Sequence, residues 1–503
     1  MYSSTLVVKS HLSAQRLRRA PRLRAQLPPA AVRCELRRLV CSRGAPWRHR
    51  DTRGGTRFCA HALRRAVVRI VPLAPAVILG QLSALYPHRT RAPHTQTCFL
   101  QNALHVTTYL PALRGDVVAI VVARMLQIDA LLTRRDVDEM RARSVAMTTP
   151  DDDDDQIFEM EELHVADTKL QTSDKGQLFA CLDDLMYVMF AYIHATCWQH
   201  NGDEETLNWK AASSLYRELA AAFRRVVLPT HESSHVQYLA FYICSFRPTL
   251  ADAFLDLLWK GFLDVNASAV ARQNCAAYAA SLLVRARYVA AATVRTVLTA
   301  MAAWIHRYID GGVDALARPD RAAHLAFYAA CQALFYVVAF RHEELARSPG
   351  GHAWLRSLNL QRVVTCQLNP LAVCPAAVVL QFASVTRALQ IAYCYTVVEH
   401  NARNTIPVAR DSRASLADAL ASFFPFEPYV LPKSRRFVAT PTLYREFKLS
   451  KPDAEKGRKK MEEEDGEEGE EEDDFLHYGS SPGFKRAHLA LSPPLLCDMA
   501  MSL

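Results

Sequence analysis

Two histidines four residues apart, His231 and His235, have the spacing that can place a pair of imidazoles on one helix face as metal ligands. Their surroundings argue otherwise. Pro229 starts that helix, only Glu232, Ser233 and Ser234 lie between the histidines, and no third ligand is in view. We expect His231 to cap the helix N-terminus and His235 to pack in the core. The five aspartates Asp151–Asp155, with Glu159, Glu161 and Glu162, have the ligand type for calcium but lack the glycine turn and spaced pattern of a calcium loop. Cys366 and Cys374 straddle Pro370 at a helix boundary and read as packing thiols. The chain has 13 cysteines and no C-x-x-C pair, which removes zinc ribbons and thioredoxin-type redox sites and suits reduced thiols in an intracellular protein. No G-x-x-x-x-G-K-[ST] or G-x-G-x-x-G is present, and we count neither a metallopeptidase helix nor a nucleophile elbow. The expectation is a protein that is not an enzyme, with no cofactor and no metal.

What remains is binding, and the elements that would present it are helical. Glycine supplies only 17 of 503 residues, about half the usual share, which argues against doubly wound sheets and phosphate-cradling loops. No unbroken apolar run reaches the roughly 20 residues of a bilayer span, so no membrane role is expected. Asp116–Ile128 reads as a buried helix. Helical stretches follow at about 178–198, 208–228, 235–247, 249–264, 268–290, 291–309, 321–346, 352–368 and 371–400. They are separated by Pro229, Pro248, Gly311-Gly312, Pro349-Gly350-Gly351 and Pro370. Within them, Asp264 closes one helix, Val270-Ala-Arg272 follows, small residues recur every third or fourth position, and Leu282-Leu283 ends the pattern. That is the pattern of a HEAT repeat, in which helix pairs stack into a solenoid because no pair can bury its apolar face alone. The predicted fold is an all-α, HEAT-like superhelix with no sheet, packed from about His61 to Phe447.

Composition divides the chain further. Residues 1–57 hold 13 Arg and one Lys against Glu35 and Asp51, a balance of +12 in a chain whose total is +9, so the body is close to neutral. This segment reads as a presequence, as a basic nucleic-acid tail, or as a wrongly placed start in the gene model. Weak amphipathic spacing and an abrupt change near Phe58 favour the last. Residues 58–147 read as HEAT-like helices, 148–177 as an acidic disordered loop, 178–450 as solenoid with an aromatic C-terminal cap, and 451–503 as a disordered tail. That tail carries Lys456, Arg458, Lys459 and Lys460, a basic cluster of the kind import receptors read, then 11 acidic residues among the 14 from Met461 to Asp474. Ser481 and Ser492 each precede a proline, the context of proline-directed phosphorylation; Ser434 is a weaker candidate because no proline follows it and packing there is an open alternative. The aromatic cluster Phe423, Phe424, Phe426 and Tyr429 reads first as a cap packed on the solenoid and second as an anchor for a partner protein.

Several stretches, in order and at consistent spacing over roughly 61–448, resemble one family. They include Leu228-Pro-Thr-His231, Phe241-Tyr-Ile-Cys-Ser-Phe246, Ala329-Ala-Cys-Gln-Ala-Leu-Phe-Tyr336, Gln367-Leu-Asn-Pro-Leu371, Phe423-Phe-Pro-Phe-Glu-Pro428 and Lys433-Ser-Arg-Arg-Phe437. The sequence is similar to the RNA polymerase I-specific transcription initiation factors, the growth-regulated initiation factor IA family. Residues 1–57 do not look like the further N-terminal repeats of that family. The resemblance implies an adaptor in the nucleus and nucleolus. Such a factor binds RNA polymerase I through its stalk subunit and carries it to a promoter selectivity factor. It meets the ribosomal DNA promoter mainly through these partners, under control of phosphorylation, and a second copy of the chain is a further admissible partner. Leu282, Leu283, Arg285 and Arg287 lie in the helix that resembles the family's selectivity-factor-binding stretch, with ordinary HEAT packing as the competing reading. The alternative function is a HEAT-repeat transport or scaffold adaptor without a polymerase role.

Overall fold

The computed structural model describes residues 74–132, 136, 139, 165–201, 204–230, 233–311, 321–403 and 424–446. The expectations placed on 1–73, on the acidic block 148–164 and on the tail beyond 446 lie outside these residues, as do His231 and Phe423. The described residues fall into two compact units. The first includes everything described up to Val297 together with Pro428–Arg445, and the second includes Leu298–Glu427.

In the first unit the helices are α1 (Ala74–Ala84), α2 (Pro93–Tyr109), α3 (Arg114–Asp129), α4 (Val165–Cys197), α5 (Trp209–Ala222), α6 (Tyr238–Cys244), α7 (Pro248–Leu263) and α8 (Ala269–Arg285). Each packs mainly on neighbours close in sequence: α2 on α3 and α4, α3 on α5, α6 on α5 and α7, α7 on α8. That is the pairing expected of stacked helical repeats. Starts follow local chemistry. Pro93 and Pro248 occupy first-turn positions where a missing N–H costs nothing. The side chains of Asn208 and Ser268 accept hydrogen bonds from the N–H groups of Ala211 and Ala271. The α7–α8 pair bears out the repeat signature: Asp264 Oδ1 accepts the Asn266 N–H at 3.0 Å, and Arg272 Nε reaches the Phe262 carbonyl at 2.7 Å. Close approach is enforced at Gly261, where an added Cβ would stand 2.8 Å from Cys275 Sγ.

In the second unit α9 (Ala291–Asp310) enters from the first, followed by α10 (Leu325–Arg347), α11 (Gly351–Ser357), α12 (Leu360–Val364), α13 (Ala376–Ala388) and α14 (Tyr395–Arg403). α10 is buried along most of its length and packs on α13 and α11. By length and composition alone α4 and α10 could each cross a membrane, which the count of unbroken apolar runs does not suggest. In the fold Asp183, on α4, and Arg341, on α10, are buried polar residues that make hydrogen bonds within the protein.

Four expectations need correction. A sheet does exist: Trp198–Asn201 (β1) and Glu204–Leu207 (β2) pair antiparallel, with Trp198 opposite Leu207 and Asn201 opposite Glu204. The pairing leaves Gly202-Asp203 between the strands, a glycine-first pair that favours a two-residue hairpin connection. α4 begins at Val165, inside the stretch read as an acidic loop to residue 177, because the carboxylate run ends at Glu162 and good helix formers follow. The stretch 208–228 is α5 followed by a π-helical turn at Phe223–Val227. The two long helices read at 352–368 and 371–400 are each broken by a residue in the left-handed region, Asn359 (φ 47°) in the first and Gln390 (φ 52°) in the second, while Asn369 (φ 45°) sits at the expected boundary before Pro370. Asparagine tolerates that conformation, and at Asn359 it breaks a helix with no proline beside it.

Nine cysteines are described and all are free thiols, seven of them buried. Burial pushes Cys181 up to about 11 and Cys197 and Cys275 up to about 12, which keeps them protonated and unreactive. Because the folded values exceed the ordinary one, the stability these thiols contribute is intact below about pH 8.5 and is lost as pH rises toward 12. The melting temperature should therefore fall between pH 9 and 11, and alkylation at pH 8 should label these three thiols only after unfolding. Gly261→Ala should cost roughly 1–3 kcal/mol in urea denaturation. Combining it with Cys275→Ala should cost less than the sum of the two single changes.

Candidate partner-binding surface

The region where the sequence places most of its expected binding residues is built by one irregular segment. Residues 428–445 run without helix, apart from a single 3₁₀ turn at Ser434–Phe437, and pack on the first unit. We call this segment the strap. Its apolar anchors Tyr429, Leu431, Val438 and Tyr444 are all buried. The Tyr429 ring lies 4.8 Å from Tyr238, 5.6 Å from His235 and 6.3 Å from Phe190. Phe437 stacks on Phe190 at 5.4 Å, and Tyr444 meets Phe241 at 6.2 Å.

Two buried carboxylates hold the polar atoms around these rings. Asp183, in the middle of α4, accepts the Lys433 N–H at 2.8 Å, the Ser434 N–H at 2.8 Å and the Ser434 hydroxyl at 2.6 Å. Ser434 Oγ is also 2.8 Å from the Tyr429 hydroxyl, and burial raises the Tyr429 phenol well above its ordinary range. Asp129, the last residue of α3, accepts the three successive N–H groups of Ser234, His235 and Val236 at 3.1, 2.9 and 3.1 Å on Oδ2. Its Oδ1 faces His235 Nδ1 at 2.9 Å, an arrangement in which the imidazole donates. Three amides converging on one oxygen form a nest for an anion. Neither aspartate was singled out from the sequence. A signal existed for Asp129: a carboxylate at a helix C-terminus opposes the helix dipole, so its presence there asks for a tertiary reason.

These contacts also decide the histidine question. His231-Glu-Ser-Ser-His235 does spell H-E-x-x-H, although the sequence reading counts no metallopeptidase helix, and Gly479-Ser-Ser-Pro-Gly483 spells G-x-S-x-G. The first pattern needs both histidines on one helix. Here α6 begins only at Tyr238, and His235 is buried and bonded to Asp129, the packed core histidine that was expected. The second lies outside the described residues, in a sequence without the strand–turn–helix pattern that an elbow requires. Among the described residues no group of His, Cys, Asp and Glu is arranged to hold a metal ion.

The expected contact residues of α8 divide sharply. Leu282 and Leu283 are 0% exposed and Arg285 is 1% exposed, so they offer no face to a partner. The strap lies against the residues that follow the leucines. Ala286 pairs with Tyr444 as an antiparallel bridge, the Arg445 N–H donates to the Arg285 carbonyl at 2.8 Å, and the Arg285 guanidinium lies over the Tyr444 ring at 5.6 Å. Arg287 stays exposed while its Nε reaches the Tyr444 carbonyl at 3.3 Å. Phe424 and Phe426, in the second unit, are buried too, Phe424 against Tyr336 at 4.9 Å. The described members of the aromatic cluster, Phe424, Phe426 and Tyr429, are thus all buried. The exposed charged side chains of the strap are basic: Lys433, Arg435 and Arg436. Lys433 pairs with Asp184 at 2.6 Å, a bond that holds its ammonium above the ordinary value, and Arg436 lies over the Tyr187 ring at 4.4 Å.

Asp183→Ala should leave two amides and a hydroxyl without their acceptor and free the strap. The expected result is proteolytic cleavage within 428–445 at a protease level that spares the wild type, with helical circular dichroism retained. Asp129→Ala should be the more damaging change, costing about 3–5 kcal/mol in urea denaturation because a buried imidazole and three amides lose their acceptor. Asp129→Asn, which keeps an acceptor oxygen, should cost clearly less.

Comparison with known proteins places this architecture. The sequence profile described as RNA polymerase I specific transcription initiation factor RRN3 matches residues 40–451. The mouse RNA polymerase I-specific transcription initiation factor RRN3 is 34% identical over 394 residues, covering 75% of this chain and 59% of its own length. Its fission yeast counterpart is 28% identical over 400 residues, covering 75% of this chain and 64% of its own length. The chain thus spans about 60% of the length of these relatives. The crystal structure of RNA Polymerase I Transcription Initiation Factor Rrn3 superposes with a TM-score of 0.65 at 20% identity, over 83% of this chain and 77% of that one, a likeness of fold. With the profile covering most of the sequence, the chain belongs to the RRN3 family of RNA polymerase I-specific transcription initiation factors.

Proposed function

We propose that this chain is a non-catalytic initiation factor for RNA polymerase I. In this reading it binds the polymerase through the stalk subunit, brings it to the promoter selectivity factor, and meets ribosomal DNA mainly through those two partners. The observation that carries the proposal is the family match over residues 40–451, laid on a mostly helical scaffold. Stacked helix pairs suit the role because they give one chain a long surface for two large partners at once. The contact residue we retain from the set at the end of α8 is Arg287, its exposed member, with Lys433, Arg435 and Arg436 as further exposed basic side chains of the strap. Residence in the nucleus and nucleolus follows from the role, with Lys456, Arg458, Lys459 and Lys460 as the import signal. Ser481 and Ser492 are the regulatory phosphorylation sites, each adding about −1.5 to −2 charges for a basic surface to read.

The chain should co-purify from nuclear extract with RNA polymerase I and not with the other nuclear polymerases; equal recovery of all three would remove the proposal. Arg287→Glu should weaken selectivity-factor binding about fivefold or more, with the melting temperature within a degree or two of wild type, since the side chain is exposed. For the tail, polymerase binding and promoter-dependent initiation should differ between the Ser481→Ala/Ser492→Ala pair and the matching Asp pair. Identical behaviour would mean the two serines are not the switch. Neutralising the four basic residues at 456–460 should abolish nuclear accumulation if they are the signal.

A further inference from the structure

The second unit carries an exposed aromatic feature that neither the strap nor the family match explains. Between α13 and Tyr395, the first residue of α14, burial alternates: Ala392 and Cys394 are buried, and Tyr393 and Tyr395 are exposed. Tyr393 is 69% exposed and Tyr395 42%. The alternation leaves two aromatic rings open to solvent on either side of buried Cys394. The backbone that presents them is fixed. Gln390 adopts the left-handed conformation, φ 52°, with no glycine to ease it. The turn is closed by the Ile391 N–H on the Thr386 carbonyl at 3.0 Å, and the Tyr393 N–H donates to Gln361 Oε1 at 2.8 Å. Cys394 Sγ lies 3.4 Å from the Thr386 hydroxyl beneath them. A strained residue held in place by its neighbours marks a segment whose shape has a use.

Charge gives the ligand class. Arg387 is exposed and lies over the Tyr395 ring at 5.4 Å, and no ion pair among the described residues neutralises it. Arg362 and Arg403 are each matched by a carboxylate, Asp310 and Glu399, whereas Arg387 has no carboxylate partner among the described residues and can meet an anion. Two exposed rings held at the start of a helix, an unmatched guanidinium beside one of them, and the side-chain amides of Gln361 and Gln390 are the components that recognise unstacked bases and their phosphates. We propose that Tyr393, Tyr395 and Arg387 form a stacking site for single-stranded nucleic acid. The site would hold one or two bases on the tyrosines with a phosphate on Arg387. A proline-rich peptide would use the rings but has no anion for Arg387, which is why we argue the nucleic acid.

The experiment uses the full chain and a fluorescent oligothymidine of about twelve nucleotides carrying 4-thiothymidine. Photo-crosslinks mapped by mass spectrometry should fall within 387–395, which separates this site from attraction to the Arg-rich residues 1–57. Tyr393→Ala/Tyr395→Ala should weaken oligothymidine binding about 5- to 100-fold and leave the melting temperature unchanged. Tyr393→Phe/Tyr395→Phe should bind as wild type because the ring faces remain. Crosslinks confined to other regions, affinity unaffected by the alanine pair, tighter binding to duplex of the same length, or displacement by a proline-rich peptide but not by unlabelled oligothymidine would each overturn the proposal. None of these outcomes bears on the polymerase interaction, which is measured separately.

Discussion

An irregular segment can be buried only if its backbone amides find acceptors, and the first unit is organised around meeting that demand. The strap of 428–445 crosses helices with no ladder of its own, so the helices supply the acceptors: Asp183 for two amides and a hydroxyl, the Arg285 carbonyl for a third amide. The same device appears where the chain turns into α6, with Asp129 receiving three amides in a row. Tyr429 joins the two places, its ring on His235 and its hydroxyl on Ser434. Composition lightens the requirement. Pro428 and Pro432 bring no N–H at all, so proline punctuation here reduces the number of donors to be satisfied as well as stiffening the chain.

This arrangement fixes which residues remain for partners. Leu282, Leu283 and Arg285 belong to the core, Tyr444 and Arg445 lie against Arg285 and Ala286, and of the four residues Arg287 alone faces outward. The exposed charged side chains that remain there, Arg287, Lys433, Arg435 and Arg436, are basic, and any contact made through them would be weakened by salt.

Helical class and repeat character were legible because both rest on periodicity and punctuation that lie within one stretch of sequence. Asp264, Arg272 and the small residues of α8 announced a close helix pair, and Gly261 against Cys275 is what that closeness looks like. The core role of His235 was legible too, from the poverty of ligands around it. The hairpin at 198–207 was missed although Gly202-Asp203 signalled it, because the flanking residues carry no alternating apolar pattern. The inward turn of Arg285 was not legible at all. It depends on residues 160 positions away, as HEAT packing and a contact surface ask for the same small and basic residues at a helix end.

The strap also separates the three serines considered for regulation. Ser434 is fully buried, donates to Asp183 at 2.6 Å and meets the Tyr429 hydroxyl at 2.8 Å. A phosphate there would place about two negative charges against a buried carboxylate, in a site with room for neither the oxygens nor their hydration. Any enzyme acting on it would first need the strap released, at the loss of the Tyr429 and Phe437 contacts. Modification of Ser434 would therefore report unfolding of the strap instead of controlling a folded protein. Ser481 and Ser492 face no such obstacle in their sequence context, which is polar, proline-flanked and preceded by a strongly acidic run. Control by phosphorylation can act on the folded factor only from positions of that second kind, where the added charge reaches a basic edge without first dismantling the core that holds it.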